Sequence, residues 1–496
     1  MSKMNKILKS SLIVSIYLFV IKLFGLIKQS VIASIYGTTV ETDIFFVSSG
    51  IVSSIGVAIF SSLSITLLTL YIEKKSKSVL QANKLISDVL KVFIPISFLL
   101  SVFFVLNSDI IARWIAPNYK FEQFKLLTQY IRIMSISLCP LCYYLIINSV
   151  LEANQEFIPG RTYALFQNLF IIIAALFFMK LGIMPLLIAF ILAALAECLL
   201  VTVRSRKYFS FINSGLSSKT EIKELLYLAV PLMIGNAIYE INDIVDKTIS
   251  VRLGEGGVSF LTYGQSLNEI VSVIVISAVS TVLFSHYAKW VVNKEYDNIV
   301  DSVSKCVKVY VIIMIPITIL TIICNQDIVK VFFGRGNFSD SSVVNTSRVL
   351  IGYAIGFAFI CIRSVFLKCL YAFKDTKRTL WTGVIAISLN IILSITLSRI
   401  CGVSGVALGT SVAMFISMIL NFYSLKKHLP NLKIEGLFIC MFKVFVASIC
   451  MTLVALFIRK NVLQLNLYLR LIIIGCLSLG TYMLLIILMS KKPLKH

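Results

Sequence analysis

Charge is scarce in this chain and histidine nearly absent. Only 14% of its 496 residues are Asp, Glu, Lys or Arg, and only three are histidine. His286, His428 and His496 stand at no metal-ligand spacing, and no His-Glu-x-x-His pair, phosphate-cradling loop or nucleophile elbow occurs. The sequence therefore points away from an enzyme, and with no ATP site any transport must draw on an ion gradient, the membrane potential or consumption of product. Nine prolines and 23 glycines leave too little flexible sequence for a large domain outside the helices. Acids are few as well, 23 against 46 bases.

Apolar residues fill the space instead, at 58% of the chain. They form about fourteen stretches, each near the roughly 20 residues that an α-helix needs to cross a hydrocarbon core. Backbone groups have no water to bond there, so the spans must be helices. They begin near Ser10, Asp43, Leu85, Ile131, Thr162 and Ile183, then Leu225, Gly264, Cys306, Val343, Leu380 and Gly402, and finally Gly436 and Tyr468. The first continues past Lys22 without a cleavage-like site, so an uncleaved helix is expected rather than a signal peptide.

The net charge of +23 could suggest nucleic acid, but the bases punctuate span ends. Lys3, Lys6 and Lys9 open the chain; Lys74, Lys75 and Lys77, then Arg204, Arg206 and Lys207, then Lys374, Lys377 and Arg378 mark alternate loops; Lys491, Lys492 and Lys495 close it. That pattern predicts a multi-pass protein of the cell membrane, both termini cytoplasmic, with anionic lipid rather than nucleic acid as counter-charge. The eleven cysteines scatter through the spans, and Cys139-Pro-Leu-Cys142 reads as a pair of packing thiols in a helix, not a redox motif.

The first twelve spans repeat. Ile32-Ala-Ser-Ile-Tyr-Gly37 and Ile249-Ser-Val-Arg-Leu-Gly254 close helices 217 residues apart. Leu151-Glu-Ala-Asn and Leu370-Tyr-Ala-Phe enter polar turns 219 apart, before spans holding Asn168 and Asn390. Parallel six-helix repeats are a transporter signature, with the substrate path between the halves.

Ionisable groups inside spans are expensive against lipid and normally face a cavity or a partner. Lys22, Gly25, Lys28 and Gln29 share one arc of the first span. Two ammonium groups in a partly dry site suit a diphosphate, with Gly25 as a hinge; the alternative for Lys28 is snorkelling to an interface. The seventh span carries Glu240, Asp243, Asp246 and Lys247, where a cation site or proton relay competes with an internal Asp243–Lys247 pair. Glu269, Arg363 and Lys368 are further candidates, whereas Glu197 is expected in the interface. Asn242-Asp-Ile-Val-Asp246 also mimics the aspartate motif of intramembrane prenyltransferases. Its only spacing match, Asp297 to Asp301, falls in a connection, and fourteen spans argue against that enzyme class.

Several segments together resemble the MviN/MurJ family, the lipid II flippases of the multidrug/oligosaccharidyl-lipid/polysaccharide exporter superfamily. They are Gly25-Leu-Ile-Lys28 through Thr42-Asp43, Asn148 to Pro159, Glu240 to Asp246, Gly257 to Tyr263, Phe333 to Phe338, and Tyr371 to Thr376. The resemblance implies an all-α polytopic membrane protein of about 14 transmembrane helices. Two pseudo-symmetric six-helix lobes (1–215 and 216–430) surround a central cavity, and two C-terminal helices (431–496) form a groove. It implies translocation of undecaprenyl-diphosphate-linked peptidoglycan precursor by alternating access, with a capsular or teichoic repeat unit as alternative cargo and a cation/drug antiporter as the lesser rival.

Substrate contacts are expected from Lys22, Lys28, Gln29, Ser266, Arg363 and Lys368, and gating or coupling from Asp43, Glu240, Asp243, Asp246, Glu269 and Asp375. No cofactor is expected beyond a coupling cation, Na⁺ or H⁺, with Na⁺ conceivable at Asp246. Membrane lipids and cell-wall or polysaccharide synthesis enzymes are the expected partners. The departures bear on cargo. Family arginines are replaced by Lys22, Lys28 and Ser266, and the second span reads Ser53-Ser-Ile-Gly-Val without a base. Lysine keeps charge but not the bidentate fork.

Overall fold

In a computed structural model, the backbone is described for residues 3–213, 219–433, 436–462 and 464–490, with side chains for all of these except 3–15 and 272–285. Lys491, Lys492, Lys495 and His496 lie outside the described residues, as do the side chains of Lys3, Lys6 and Lys9. The described chain holds helices and turns and no strand. It forms two compact units, residues 1–259 and 260–496.

The first unit contains α1 (Lys3–Tyr36), α2 (Val40–Lys77), α3 (Val79–Ile115), α4 (Phe121–Ser135), α5 (Leu138–Ala153), α6 (Tyr163–Phe177), α7 (Met184–Ser205) and α8 (Lys219–Arg252). Short 3-10 turns at Pro159–Arg161 and Met179–Leu181 flank α6. The helix α9 (Gly257–Val292) starts at the boundary. The second unit continues with α10 (Tyr296–Ile323), α11 (Asn325–Phe333), α12 (Asp340–Ala354), α13 (Phe357–Ala372), α14 (Thr376–Cys401), α15 (Val403–Lys426), α16 (Leu437–Asn461) and α17 (Leu467–Ser490).

Twelve rods are long and apolar enough to cross a bilayer, counting α4 with α5 and α12 with α13 as one each. With the shorter α6 and with α9, the described rods match the fourteen sequence stretches one for one. This is a multi-pass helical membrane protein. The seventh span, α8, falls in the first unit because it packs along α2 through a polar seam. Asp297 and Asp301, expected in a connection, instead sit in the first turns of α10, where Asp301 pairs with Lys305 at 3.0 Å.

The repeat is visible in the backbone. Adding 219 to the bounds of α4 (121–135) and α5 (138–153) gives those of α12 (340–354) and α13 (357–372). Both spans are therefore broken at the same place, at Ile136–Ser137 and Ile355–Gly356. Each ends in a left-handed residue, Gln155 at φ 65° and Lys374 at φ 60°. Each closes with the same crossed pair of bonds, Glu156 N–H to Leu151 O (2.9 Å) and Gln155 N–H to Glu152 O (3.0 Å), against Asp375 N–H to Leu370 O (3.0 Å) and Lys374 N–H to Tyr371 O (3.0 Å). These bonds satisfy carbonyls that the helix end would leave open. The turn before the next long helix repeats too. Gly182 (φ 70°, ψ −148°) and Gly402 (φ 60°, ψ −144°) adopt a conformation that a side chain would strain.

Close helix approach in the second unit rests on small residues. Gly405 and Gly409, one turn apart on α15, face the backbone of α14. A Cβ at Gly409 would meet Ser394 N at 2.9 Å, and one at Gly405 would strike Leu397 O. The C-terminal helices α16 and α17 belong to the same unit. Val444, Ala447, Met451 and Tyr482 join a buried core with α10 and α13, and Tyr482 donates to Ile312 O at 2.8 Å. Arg470 on α17 pairs with the buried Asp327 on α11.

Candidate functional site

The first unit carries a basic face on α1. Lys22, Gly25, Lys28 and Gln29 are all half-buried, and the Gln29 Oε1 is enclosed without a hydrogen-bond partner. Asn168 of α6 donates to Ile21 O at 3.1 Å, which sets this stretch of α1 against α6. A Cβ on Gly25 would lie 3.6 Å from the Asn168 Nδ2, an ordinary contact. The helix runs unbroken through Gly25.

Along α2 and α8 runs an antiparallel polar seam. Asn236 donates to Ser62 Oγ at 2.9 Å, and Ser54 bonds the Glu240 carboxylate. Lys247 reaches Asp243 at 2.7 Å, and its ammonium occupies the space that any Cβ on Gly50 would need. The spacing 236, 240, 243, 247 places these α8 groups on one face. Asp246, one residue aside, is buried and accepts from Asn242 at 3.2 Å.

At the far end of the seam, Asp43 is 1% exposed and accepts from the backbone N–H (2.8 Å) and hydroxyl (2.6 Å) of Ser259, with the Gly256 N–H beside them. These are unbonded N–H groups of a helix's first turn, where a carboxylate is favoured twice, by bonding and by the helix dipole. The sequence marked every acid in this seam. It could not show that Ser54, Ser62 and Gly50 were the facing partners.

In the second unit, Arg363 donates from Nε to Ser417 Oγ at 2.7 Å, and Lys368 is half-buried on the same helix. Ser266 turns its hydroxyl back to Tyr263 O at 2.7 Å, and Glu269 is half-buried one turn on. Asp375 lies apart from these, in the turn before α14. It caps Arg378 N–H (3.2 Å), pairs with the Arg378 guanidinium (2.9 Å) and bonds His428 Nε2 (2.6 Å), whose ring stacks on Phe373. Burial alone would raise this carboxyl. The bonds from His428 and the Arg378 N–H, with the charges of both side chains, outweigh it and hold the carboxyl below its ordinary value.

The corresponding turn of the first unit has the same device, which no pattern in the sequence singles out. Glu156 pairs with Lys207 and accepts from Tyr208 Oη at 2.8 Å. The Lys207 bond lowers its carboxyl pKa. Among the described residues no group of three or more His, Cys, Asp or Glu converges as a metal site. Cys139 and Cys142 are unbridged thiols inside α5.

Two grooves occupy repeat-related positions. One, of about 890 Å³, runs from Leu90 past Tyr143 to Cys198 and ends at Lys91 and Arg206. The other, of about 580 Å³, runs from Val307 past Ile362 to Met418 and is walled on one side by Leu437 and Met441 of α16. Its lining is almost wholly aliphatic and aromatic, with Thr318 the one hydroxyl besides Tyr423.

Glu197 was expected at an interface; it is instead fully enclosed on α7. Its helix is covered on that side by α5 and α6, and uniform hydropathy around α7 gives no sign of which face they cover.

A sequence profile for the family described as Lipid II flippase MurJ matches residues 32–475. Among curated relatives, the probable lipid II flippase MurJ of Rickettsia prowazekii (strain Madrid E) is 24% identical over 469 residues, covering 91% of this chain and 89% of that protein. The protein of the same description from Buchnera aphidicola subsp. Acyrthosiphon pisum (strain APS) is 26% identical over 487 residues, covering 92% and 91%. Among solved structures, a lipid II flippase MurJ in an inward closed conformation superposes with a TM-score of 0.83 at 23% identity, covering 97% of this chain and 98% of that one. An inward-facing multidrug resistance MATE family transporter of the MOP superfamily gives 0.71 at 12% identity, covering 84% and 96%.

Proposed function

Since this chain belongs to the lipid II flippase MurJ family, we propose that it carries lipid II from the cytoplasmic to the outer leaflet by alternating access of its two repeats. The observation that carries the reading is the basic face of α1, where Lys22 and Lys28 stand half-buried on one arc of a membrane span. A diphosphate is the part of the cargo least tolerated by lipid, and two partly dehydrated ammonium groups offset its charge better than they would in water. Gln29, with an enclosed and unpartnered Oε1, offers its amide to the same region. Lysines replace the fork of an arginine by point charges, which suits a diphosphate that must also be released. Arg363 and Lys368 supply further bases.

The polyprenyl chain needs a separate, apolar path. The groove walled by α13, α15 and α16 has that character, and its lining from Val307 to Met441 offers almost nothing to a polar ligand. A negative cell interior favours outward movement of an anion by about 2.3 kcal/mol per charge per 100 mV. A coupling cation, Na⁺ or H⁺, would act through acids such as the buried Asp246 and the half-buried Glu269. The alternation of basic loops supports a cytoplasmic position for both termini. A capsular or teichoic repeat unit would use the same diphosphate contacts, but the family match favours lipid II. A cation/drug antiporter would need an acidic face where α1 is basic.

The test is rescue of cells depleted of their only lipid II flippase, with lipid II assayed on the outer leaflet. The parent chain is expected to restore export, and Lys22→Ala with Lys28→Ala to abolish it at unchanged membrane level. Full export by the double variant would remove the diphosphate role of α1. No export by the parent would remove lipid II as cargo.

A further inference from the structure

Glu197 is a buried acid that the flippase reading leaves unused and that no base pairs with. It sits eight residues before the end of α7, is 0% exposed, and neither carboxylate oxygen has a hydrogen-bond partner. The Tyr163 hydroxyl on α6 is likewise enclosed and unpartnered. The Tyr163 ring stacks on Tyr144 of α5 at 5.2 Å, and Glu197 lies close enough to act electrostatically on both tyrosines and on Cys198 beside it. Among the described residues no base acts on Glu197 in this way. Arg132 of α4 is engaged with Ser108 (2.7 Å) and Asp109 (3.1 Å). Arg161 and Lys180, in the short turns that also touch α7, make no bond to the carboxylate.

An enclosed ionised carboxylate with no protein base or donor costs several kcal/mol, and the usual escape is to take up a proton. A metal ion would need more oxygen ligands than one carboxylate and neighbouring tyrosines offer. The repeat shows that helix packing does not require an acid here. The position 220 residues on is Ser417, bonded by Arg363, which itself stands 219 residues after Tyr144. One unit thus holds an acid without a base at the site where the other holds a base on a hydroxyl.

We propose that Glu197 is a proton-binding site of the first repeat, held as the neutral acid against Tyr163 and discharged when the helices around it rearrange. No bond forms or breaks beyond the O–H; the proton passes between carboxyl and water. Joined to the flippase reading, on which this second clause rests, the site makes H⁺ an ion coupled to transport.

Two measurements on the full chain in lipid vesicles separate the claims. Infrared titration of the purified protein should show a protonated carboxylic acid at neutral pH that Glu197→Gln removes; identical wild-type and variant spectra overturn the site. If Glu197→Gln fails to fold, Tyr163→Phe must shift the acid band, and an unshifted band overturns it too. A band that disappears when Na⁺ replaces K⁺ makes the site a cation site and likewise overturns the proposal. In the second measurement, outward lipid II flux is followed at clamped potential with an imposed pH gradient. Wild-type flux should respond to the gradient and Glu197→Gln flux should respond at least about tenfold less, whereas an equal response overturns the coupling. A wild-type protein that moves no lipid II refutes the cargo, while the infrared titration still decides whether Glu197 binds a proton.

Discussion

Removing the Ser259 hydroxyl tests whether Asp43 is a latch or a free gating charge. In Ser259→Ala the carboxylate loses a 2.6 Å bond from a buried hydroxyl but keeps the 2.8 Å bond from the same residue's N–H. A hydrogen bond to a charged group contributes about 1.5–3 kcal/mol, so the variant should weaken the turn by about ten- to a hundredfold in its local equilibrium. Asp43→Ala goes further. It strands the buried Ser259 and Gly256 N–H groups, each costing about 1–3 kcal/mol when unsatisfied, and a total near about 4 kcal/mol is expected. The decisive figure is the coupling between the two. With Asp43 gone, the hydroxyl has no acid to bond, so adding Ser259→Ala to Asp43→Ala should cost almost nothing. The cycle should therefore return a coupling of about 1.5 kcal/mol or more, measured as resistance to thermal unfolding or denaturant in detergent micelles. Strict additivity would mean that the bond does not hold the turn, and Asp43 would again count among the groups free to gate.

Three shorter tests follow from the same geometry. Because the Asp375 carboxyl is held below its ordinary value, its stabilising effect is present above the unfolded carboxylate range and is lost as pH falls through the lower folded value. Wild type should thus be more heat-resistant than Asp375→Asn at neutral pH, with the difference shrinking once pH falls below about 4 and gone only below the lowered folded value; a gap that does not shrink in acid would refute the pairing with Arg378 and His428. Arg470→Ala leaves the 5%-exposed Asp327 as an uncompensated charge, so α17 should be loosened by about 3–5 kcal/mol and become open to proteolysis, while Asp327→Asn with Arg470→Ala recovers much of the loss. Gly409→Val should reduce folded protein in the membrane more than Gly475→Val, since the first meets α14 backbone at 2.9 Å and the second meets nothing within 4 Å; equal yields would refute the close α14–α15 approach.

The many-span helical architecture, the repeat and its offset were legible, because each rests on signals in the chain itself. Twenty apolar residues announce a helix, and similar segments recurring at one offset announce a repeat. The breaks after Ile136 and Ile355 were not legible, since Ser137 and Gly356 are unremarkable inside an apolar run and only the comparison of the two units makes them a pair. Long-range partners were equally hidden. Nothing in the sequence ties Ser54 to Glu240 or Asp43 to Ser259, 216 residues away. The sequence marked Glu240, Asp243 and Asp43 as costly groups needing company, and packing alone decided which company. Glu197 failed for the same reason in reverse. The basic run from Arg204 to Lys207 suggested a helix end near water, whereas α5 and α6 enclose the face two turns earlier.

These two kinds of signal also explain how the repeats came to differ. A left-handed turn or a broken span is set by backbone bonds, so Gln155 and Lys374 can share one conformation while their side chains have nothing in common. The polar groups inside the helices have no such tether, because a helix accepts Glu197 or Ser417, Tyr144 or Arg363, at equal geometric cost. What limits them is electrostatics: each buried charge must find a base, a hydroxyl or a proton. The second unit answers with Arg363 on Ser417, the turns with Lys207 on Glu156 and Arg378 on Asp375. Glu197 alone among these is given no protein partner. The backbone repeat therefore supplies two matching frames, and the two units fill them with unequal buried charges.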